Sequence, residues 1–489
     1  MTRSAYFPEL PPPAKAPVFL QLAHAIAEDV RRGRLRPGER LPGSRALAER
    51  LGVHRNTVLA SLQELEAQGW VRAEPARGVF VAVDLPRAPQ VASPRATPSA
   101  SGAPMGFTLP APPPALPPEV SATGALWMSG GQPDLRILPL PELARAYRRA
   151  LSSTRLLNYG DPRGEPRLRA ALAQWLGDTR GLATTAEDLV VTRGSQQALA
   201  LLAQVLLRPG DTVAVEAYGY PQGWAALRAA GATLLPVPVD AEGLDVAALE
   251  AMLDARSGHP PIKAVYLTPH HQYPTGAVLS PARREALLAL AARHQLAVLE
   301  DDYDNEFHYR GRPLLPLASA DRHGVVAYIG TLSKAFAPGL RLGFVRGPRP
   351  LLDRLADARR IADRQGDRVV EIAIAELLED GTVVRHVRKS QQIYRVRRDV
   401  LLTELRALDP WLRVDPPPGG MALWCHVDPA LSADTWARAA LAEGVVVHAG
   451  SGYSFDGAPL PFLRLGFACL DEAELREAMR RLTRARPRP

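Results

Sequence analysis

The sequence predicts two unlike folds in one chain: a small domain of three helices and a hairpin, then a large α/β domain built on a mostly parallel sheet. Three observations carry this. At 489 residues the chain is too long for one ordinary hydrophobic core. Residues 86–118 hold 11 prolines, with Ser, Ala and Thr between them and almost no charge, a composition that cannot bury a core. Beyond residue 120, short apolar β-branched runs alternate with helical patterns. The expected boundaries are a domain over 15–84, a linker over 85–119 and a domain over 120–489. The linker would span roughly 30 Å as a flexible coil and about 100 Å as polyproline II, so it can hold two domains apart.

In the small domain, Phe19, Leu22, Ile26 and Val30 recur at helical spacing and mark a first helix. Arg36-Pro37-Gly38-Glu39-Arg40-Leu41-Pro42 forms a rigid loop. Ser44 is placed to cap a short second helix carrying Leu47 and Leu51. Gly52-Val53 makes the turn, and a third helix buries Val58, Leu62 and Leu65. Its first turn exposes Arg55, Asn56 and Thr57, where a recognition helix meets bases and phosphates. Gly69-Trp70-Val71-Arg72 and Gly78-Val79-Phe80-Val81 make a hairpin with Arg77 and Gly78 near its tip. The pattern is a winged helix-turn-helix, which implies double-stranded DNA as a partner. The net charge of +8 permits a polyanion but is spread over a large surface, so charge alone does not decide it.

In the large domain, five runs read as buried strands: Leu189-Val190-Val191-Thr192, Thr212-Val213-Ala214-Val215, Ala264-Val265-Tyr266-Leu267, Leu296-Ala297-Val298-Leu299 and Val325-Val326-Ala327-Tyr328-Ile329. Residues 196–207 and 281–294 read as helices between them. Strands buried on both faces lose the apolar–polar alternation, as these do.

Several chemical groups stand at the ends of these runs. Thr331-Leu332-Ser333-Lys334 follows a strand and precedes Pro338-Gly339-Leu340-Arg341-Leu342-Gly343. Leu299 is followed by Glu300-Asp301-Asp302-Tyr303. Thr192-Arg193-Gly194-Ser195-Gln196-Gln197 joins a strand to a helix, whose N-terminal N–H groups bind phosphate readily. A pyridoxal phosphate site needs such a set: a lysine for the Schiff base, an acid at the pyridine nitrogen, a hydroxyl at the phenolic oxygen, phosphate donors and a flat group on the ring. Lys334 is the expected lysine and the candidate catalytic residue. Asp301 is the expected acid, with Tyr303 two residues on and facing the same side; Asp302 and Glu300 stay open. Gly194, Ser195, Gln196, Thr331, Ser333 and Arg341 are the expected phosphate ligands. Tyr220, or Tyr218, would stack on the ring. Thr268-Pro269-His270-His271-Gln272-Tyr273-Pro274-Thr275-Gly276 closes another strand and could line the ring edge. Its histidines have no identifiable metal-ligand partners, and no metal is expected.

The small domain resembles the GntR family of bacterial regulators through Gly38-Glu39-Arg40-Leu41-Pro42-Gly43-Ser44-Arg45, Leu51-Gly52-Val53-His54-Arg55-Asn56-Thr57-Val58 and Arg77-Gly78. The resemblance implies DNA contacts from Arg45, Arg55, Thr57 and Gly78. His54 stands where serine commonly caps the helix, which predicts a weaker start to it. The large domain resembles fold type I pyridoxal-phosphate enzymes, and the whole chain is similar to MocR-type regulators. That implies a smaller α+β C-terminal subdomain and a homodimer. It also implies that Tyr159 reaches the partner subunit's cofactor phosphate, and that Arg464 binds the carboxylate of a substrate or effector. Ala217-Tyr218-Gly219-Tyr220 replaces the family's usual Asp-Pro-Gly-Tyr, and His270 stands where serine is common.

The expected function is a transcription regulator sensing pyridoxal phosphate, an amine or an amino acid. A working aminotransferase carrying a DNA-binding head is the alternative, and a vestigial fold without cofactor a third. Two cysteines, Cys425 and Cys469, do not make a disulfide framework or a zinc site. No signal core follows Met1 and no run of apolar residues could span a membrane, so a cytoplasmic protein is expected.

Overall fold

A computed structural model describes residues 8, 17–85, 108, 124–255, 260–311 and 313–488. The chain divides into two compact units, Met1–Leu109 and Pro110–Pro489. The proline-rich linker, but for positions 85 and 108, lies outside the described residues.

The first unit is α1 (Val18–Arg31), α2 (Ser44–Leu51), α3 (Arg55–Ala67), β1 (Val71–Glu74) and β2 (Gly78–Val81). Leu22, Ile26, Leu47, Val58 and Leu65 form its core, none more than 1% exposed. The helical period puts each of them on the inward stripe of its helix. Arg40 bridges to Phe80, and Leu41 N donates to Val79 O at 2.9 Å, so the rigid loop is pinned along the edge of the hairpin. One expectation about caps changes. Gly43, not Ser44, precedes α2 as its cap, and the Ser44 hydroxyl instead accepts from Arg55 Nε at 3.3 Å. His54 does cap α3: its Nδ1 accepts from Asn56 N at 3.3 Å.

The second unit is organised by a seven-stranded sheet. Its strands are β3 (Leu189–Thr192), β4 (Thr212–Glu216), β5 (Thr233–Val237), β6 (Ile262–Leu267), β7 (Ala297–Asp302), β8 (Val326–Thr331) and β9 (Gly343–Arg346), in the spatial order β3-β9-β8-β7-β6-β4-β5. Only β9 runs antiparallel to its neighbours. Helices cover both faces, which is why β3, β4 and β8 are buried at every residue. The carboxyl ends of the parallel strands release Thr192, Glu216, Leu267, Asp302 and Thr331 along one edge of the sheet. Ligands of open α/β sheets bind at that edge. The sheet is tight there. A Cβ on Gly343 would fall 2.8 Å from Gly194 Cα, so only glycine lets the phosphate-loop backbone lie against β9.

A smaller antiparallel sheet follows, from Leu412–Arg413, Ala422–Val427, Phe462–Gly466 and His448–Ala449 in that order. It builds its own core around Trp436, whose indole donates to Leu482 O at 2.9 Å. Leu126–Trp127 pairs in parallel with Val445–Val446. This pairing delivers Ser129, Gly130 and Gly131 to the side of Arg464.

Candidate functional site

β7 and β8 are parallel neighbours, with Asp302 opposite Gly330. Their carboxyl ends therefore bring the acids after Leu299 and the lysine after Ser333 together. Strand alternation then separates the three acids. Glu300 accepts from the N–H groups of Leu317 (2.7 Å) and Ala318 (2.9 Å). Asp302 accepts from the Tyr328 hydroxyl (2.6 Å) and Asn305 Nδ2 (3.0 Å), and faces Arg180 at 3.4 Å. Glu300 is committed to the frame, and Asp302 is held by three groups on Oδ2 while its buried Oδ1 has no partner. Asp301 accepts only from the Tyr266 hydroxyl, at 2.9 Å on Oδ2, and its buried Oδ1 has no partner. Burial pushes the Asp301 carboxyl up to about 7, with Asp302 adding to the shift and the Tyr266 hydroxyl opposing it. An orphan oxygen on a carboxyl short of positive charge suits a protonated ring nitrogen.

Burial also pushes the Lys334 ammonium down to about 8, and Arg464 adds to that. The attack on an aldehyde needs the free amine, and its fraction falls about tenfold for each pH unit below the pKa. The rate of covalent cofactor uptake should therefore rise from pH 6 and level off above about 8. Stopped-flow absorbance across that range checks it; a midpoint near the ordinary lysine value would show an unperturbed amine.

Gly194 adopts φ +77°, and the Arg341 guanidinium lies 3.2 Å from where a Gly194 Cβ would sit. Arg341 Nη2 also donates to Arg193 O at 3.1 Å. These groups open onto a cleft of about 610 Å³ lined by Arg193, Gln196, Arg341 and Tyr147, among others. Ser195 starts the helix Gly194–Leu206 with its side chain half-buried. Gln196 donates to Gln222 O at 3.1 Å, leaving its buried Oε1 free. Thr331 and Ser333 differ in their availability. The Thr331 hydroxyl accepts from Ser333 N at 3.1 Å and sits 3.0 Å from Ser333 Oγ, so it orients Ser333, whose side chain is the more accessible.

Four tyrosines meet in one cluster, against Arg464. The Tyr273 ring stands edge-on to Tyr220 (5.5 Å), Tyr303 (5.8 Å) and Tyr453 (5.5 Å). Tyr220 faces the field of Asp301, and burial raises its phenol well above the usual range. Tyr218 lines a different groove with Trp424 and Thr275. Burial likewise raises the Tyr303 phenol. Arg464 is 3% exposed. Its Nη1 donates to Ser129 O at 3.3 Å and its guanidinium lies 4.6 Å from the Tyr273 ring centre. Its Nε is buried without a partner, and no carboxylate pairs with it among the described residues. Sequence reasoning missed Tyr266 and Tyr453. Neither had a signal in the sequence: Tyr266 meets Asp301 only because their strands pair, and Tyr453 comes from the C-terminal subdomain.

Tyr159 is not brought to this cluster. It is 72% exposed, packed under the Arg364 guanidinium at 4.5 Å. In the first unit, Arg45, Arg55 and Asn56 are exposed and Thr57 is half-buried. Arg77 is exposed but pairs with Glu74 at 2.6 Å. Gly78 has φ +116°, and its missing side chain makes room for Arg40, a cation the sequence reading did not single out. The histidines at the end of β6 do have a partner: His308, after β7, closes a group with His270 and His271. That corrects the expectation that they stand without a possible third ligand. No helix among the described residues is long and apolar enough to cross a membrane.

Comparison with known proteins divides the chain at the same place. Residues 19–81 match the bacterial regulatory proteins of the gntR family, and residues 124–482 match aminotransferase class I and II. The chain is 31% identical to the "Probable rhizopine catabolism regulatory protein MocR" of Rhizobium meliloti, over 96% of this chain and 94% of that one. It is also 31% identical to the transcriptional regulator TauR of Rhodobacter capsulatus, over 95% and 96%. Among solved structures, the α-aminoadipate aminotransferase LysN of Thermus thermophilus, complexed with N-(5'-phosphopyridoxyl)-L-leucine, superposes with a TM-score of 0.68. It is 33% identical and covers 74% of this chain and 92% of its own.

Proposed function

The chain belongs to the MocR-type transcription regulators, which join a GntR-family head to a class I and II aminotransferase domain, and from that premise we propose that its large domain binds pyridoxal phosphate as the reporter of an amino-acid effector. The single observation that supports this best is a pair of unsatisfied buried groups whose charges act on Lys334: Asp301 Oδ1 and Arg464 Nε. Buried polar atoms without partners are rare in native proteins, and a site for a ligand is one reason for them. The residues present fit the cofactor. Asp301 would hold the ring nitrogen, Tyr303 the phenolic oxygen and Tyr220 one ring face. Gly194, Ser195, Gln196, Ser333 and Arg341 would hold the phosphate, with Thr331 behind Ser333. The bound cofactor supplies an aldehyde for capturing amines and an electron-withdrawing ring. Arg464 would fix the effector's carboxylate, and the tyrosine cluster would screen that pairing from water.

Tyr159 in this reading serves the phosphate of a partner subunit. Leu157 and Ile361, 68% and 81% exposed, give the same region apolar surface for a homodimer. In the head, Arg45, Arg55, Asn56, Thr57, Arg77 and Gly78 would form the operator-facing surface, in a cytoplasmic protein. A dimer would read two half-sites.

The deciding experiment is a footprint on the DNA flanking the protein's own gene, with and without candidate amino acids. Arg55→Ala should weaken operator binding by about 1–3 kcal/mol, and affinity should fall steeply with salt. Unchanged affinity with a flat salt response would remove the head as a DNA reader. The site keeps the groups a transaminase uses, so amino donors and keto-acid acceptors should be assayed beside it. Rapid multiple turnover would overturn a purely sensory role.

A further inference from the structure

β6 and β7 are adjacent and parallel, so the segments leaving their carboxyl ends run side by side. The first carries His270 and His271; the second carries Asp304, Asn305 and His308. His270 and His271 are 4% and 1% exposed, and His308 is half-buried. The His271 and His308 rings are stacked at 14° with centres 6.1 Å apart, and the His270 ring lies 4.5 Å from His271. One ring nitrogen from each of the three falls within 4.8 Å of the other two. Each ring has a buried nitrogen without a hydrogen-bond partner: Nε2 of His270, Nε2 of His271 and Nδ1 of His308.

We propose that His270, His271 and His308 form a binding site for a divalent transition-metal ion of the zinc class, held by three imidazole nitrogens with a fourth position open. Neutral imidazole suits zinc, cobalt, nickel and copper. His271 is braced as metal-binding histidines are: its Nδ1 lies 2.8 Å from the Asp304 carboxylate, which fixes the proton on Nδ1 and leaves Nε2 for a ligand. A side chain at Gly419 would collide with that Nε2, so only glycine leaves it uncovered. Zinc–nitrogen bonds of about 2.0–2.1 Å place tetrahedral ligands roughly 3.4 Å apart, so the rings must close inward. His308, the least buried, is the one free to turn. The His270 Nδ1 contact to Asn305, the longest in the cluster at 3.4 Å, is given up as its Nε2 takes the metal.

The ion would tie the end of β6 to the segment after β7, directly behind Asp301 and Tyr303. Asp304, which steadies His271, also acts on the Lys334 amine through its charge.

The test uses tag-free full-length protein, stripped with chelator, desalted and titrated with cobalt(II). One ion per chain is expected, with a d–d absorption band of tetrahedral strength that zinc abolishes by displacement. His308→Ala and His270→Ser should each weaken cobalt binding at least about tenfold, while the circular dichroism spectrum and cofactor absorbance are kept. Should His270→Ser fail to fold, His308→Ala at the half-buried position decides alone. A wild type that takes up no cobalt, as when a water bridges the three nitrogens, overturns the site. So does a band that survives His308→Ala unchanged.

Discussion

Replacing Lys334 with alanine should abolish covalent retention of pyridoxal phosphate. After borohydride reduction and digestion, the wild-type peptide containing Lys334 should carry the added pyridoxyl mass, and the variant should carry none. The effect should be total, because the bond has one donor. Lys334 is lowered to about 8 by burial and by Arg464, which raises its fraction of free amine at neutral pH. The variant should fold, since the lysine makes no side-chain hydrogen bond among the described residues and losing it removes a buried cation. Reversible binding should persist weakly through the phosphate groups and Asp301. Trapping of another lysine in the wild type would refute the assignment of the site.

Arg464→Ala should lower affinity for a carboxylate effector by about 3 kcal/mol, or roughly a hundredfold, as truncation of a buried charged hydrogen-bonding partner does. The guanidinium is held from below by Ser129 O and flanked by Tyr273, so its geometry is set before any ligand arrives. Pre-setting cuts the ordering cost of binding. Arg464→Lys keeps the charge but not the fork, and should recover only part of the loss. Titration of amino acids followed through the cofactor absorbance measures both. Equal affinity in wild type and Arg464→Ala would place the effector carboxylate elsewhere and leave the arginine a purely structural role.

The DNA-binding reading rests on the first unit alone. Its stripe of Leu22, Ile26 and Val30 and its turn at Gly52 are local features, and local features are legible from spacing. The cap of α2 was misjudged because serine and glycine both suit that position and only the backbone angles distinguish them. In the large domain, strand ends were found because each carries polar residues straight after an apolar run.

What the sequence alone determined was the inventory: a GntR-type head, a sheet of buried strands, and an acid, a lysine and an arginine, in that chain order, of the kinds a pyridoxal phosphate site needs. It could not choose among Glu300, Asp301 and Asp302, since adjacent carboxylates differ only in the face on which they emerge. The tertiary structure adds what separates them: Glu300 takes two backbone donors, Asp302 takes Tyr328, Asn305 and Arg180, and Asp301 takes Tyr266 alone, which is why Asp301 is the acid we propose for the ring nitrogen. It likewise placed Tyr220 rather than Tyr218 beside Asp301. His308 joined His270 and His271 by the same route, although 37 residues separate it from His271. Parallel strands make neighbours of segments that are remote in the chain, so spacing along the sequence holds no record of which loops will touch.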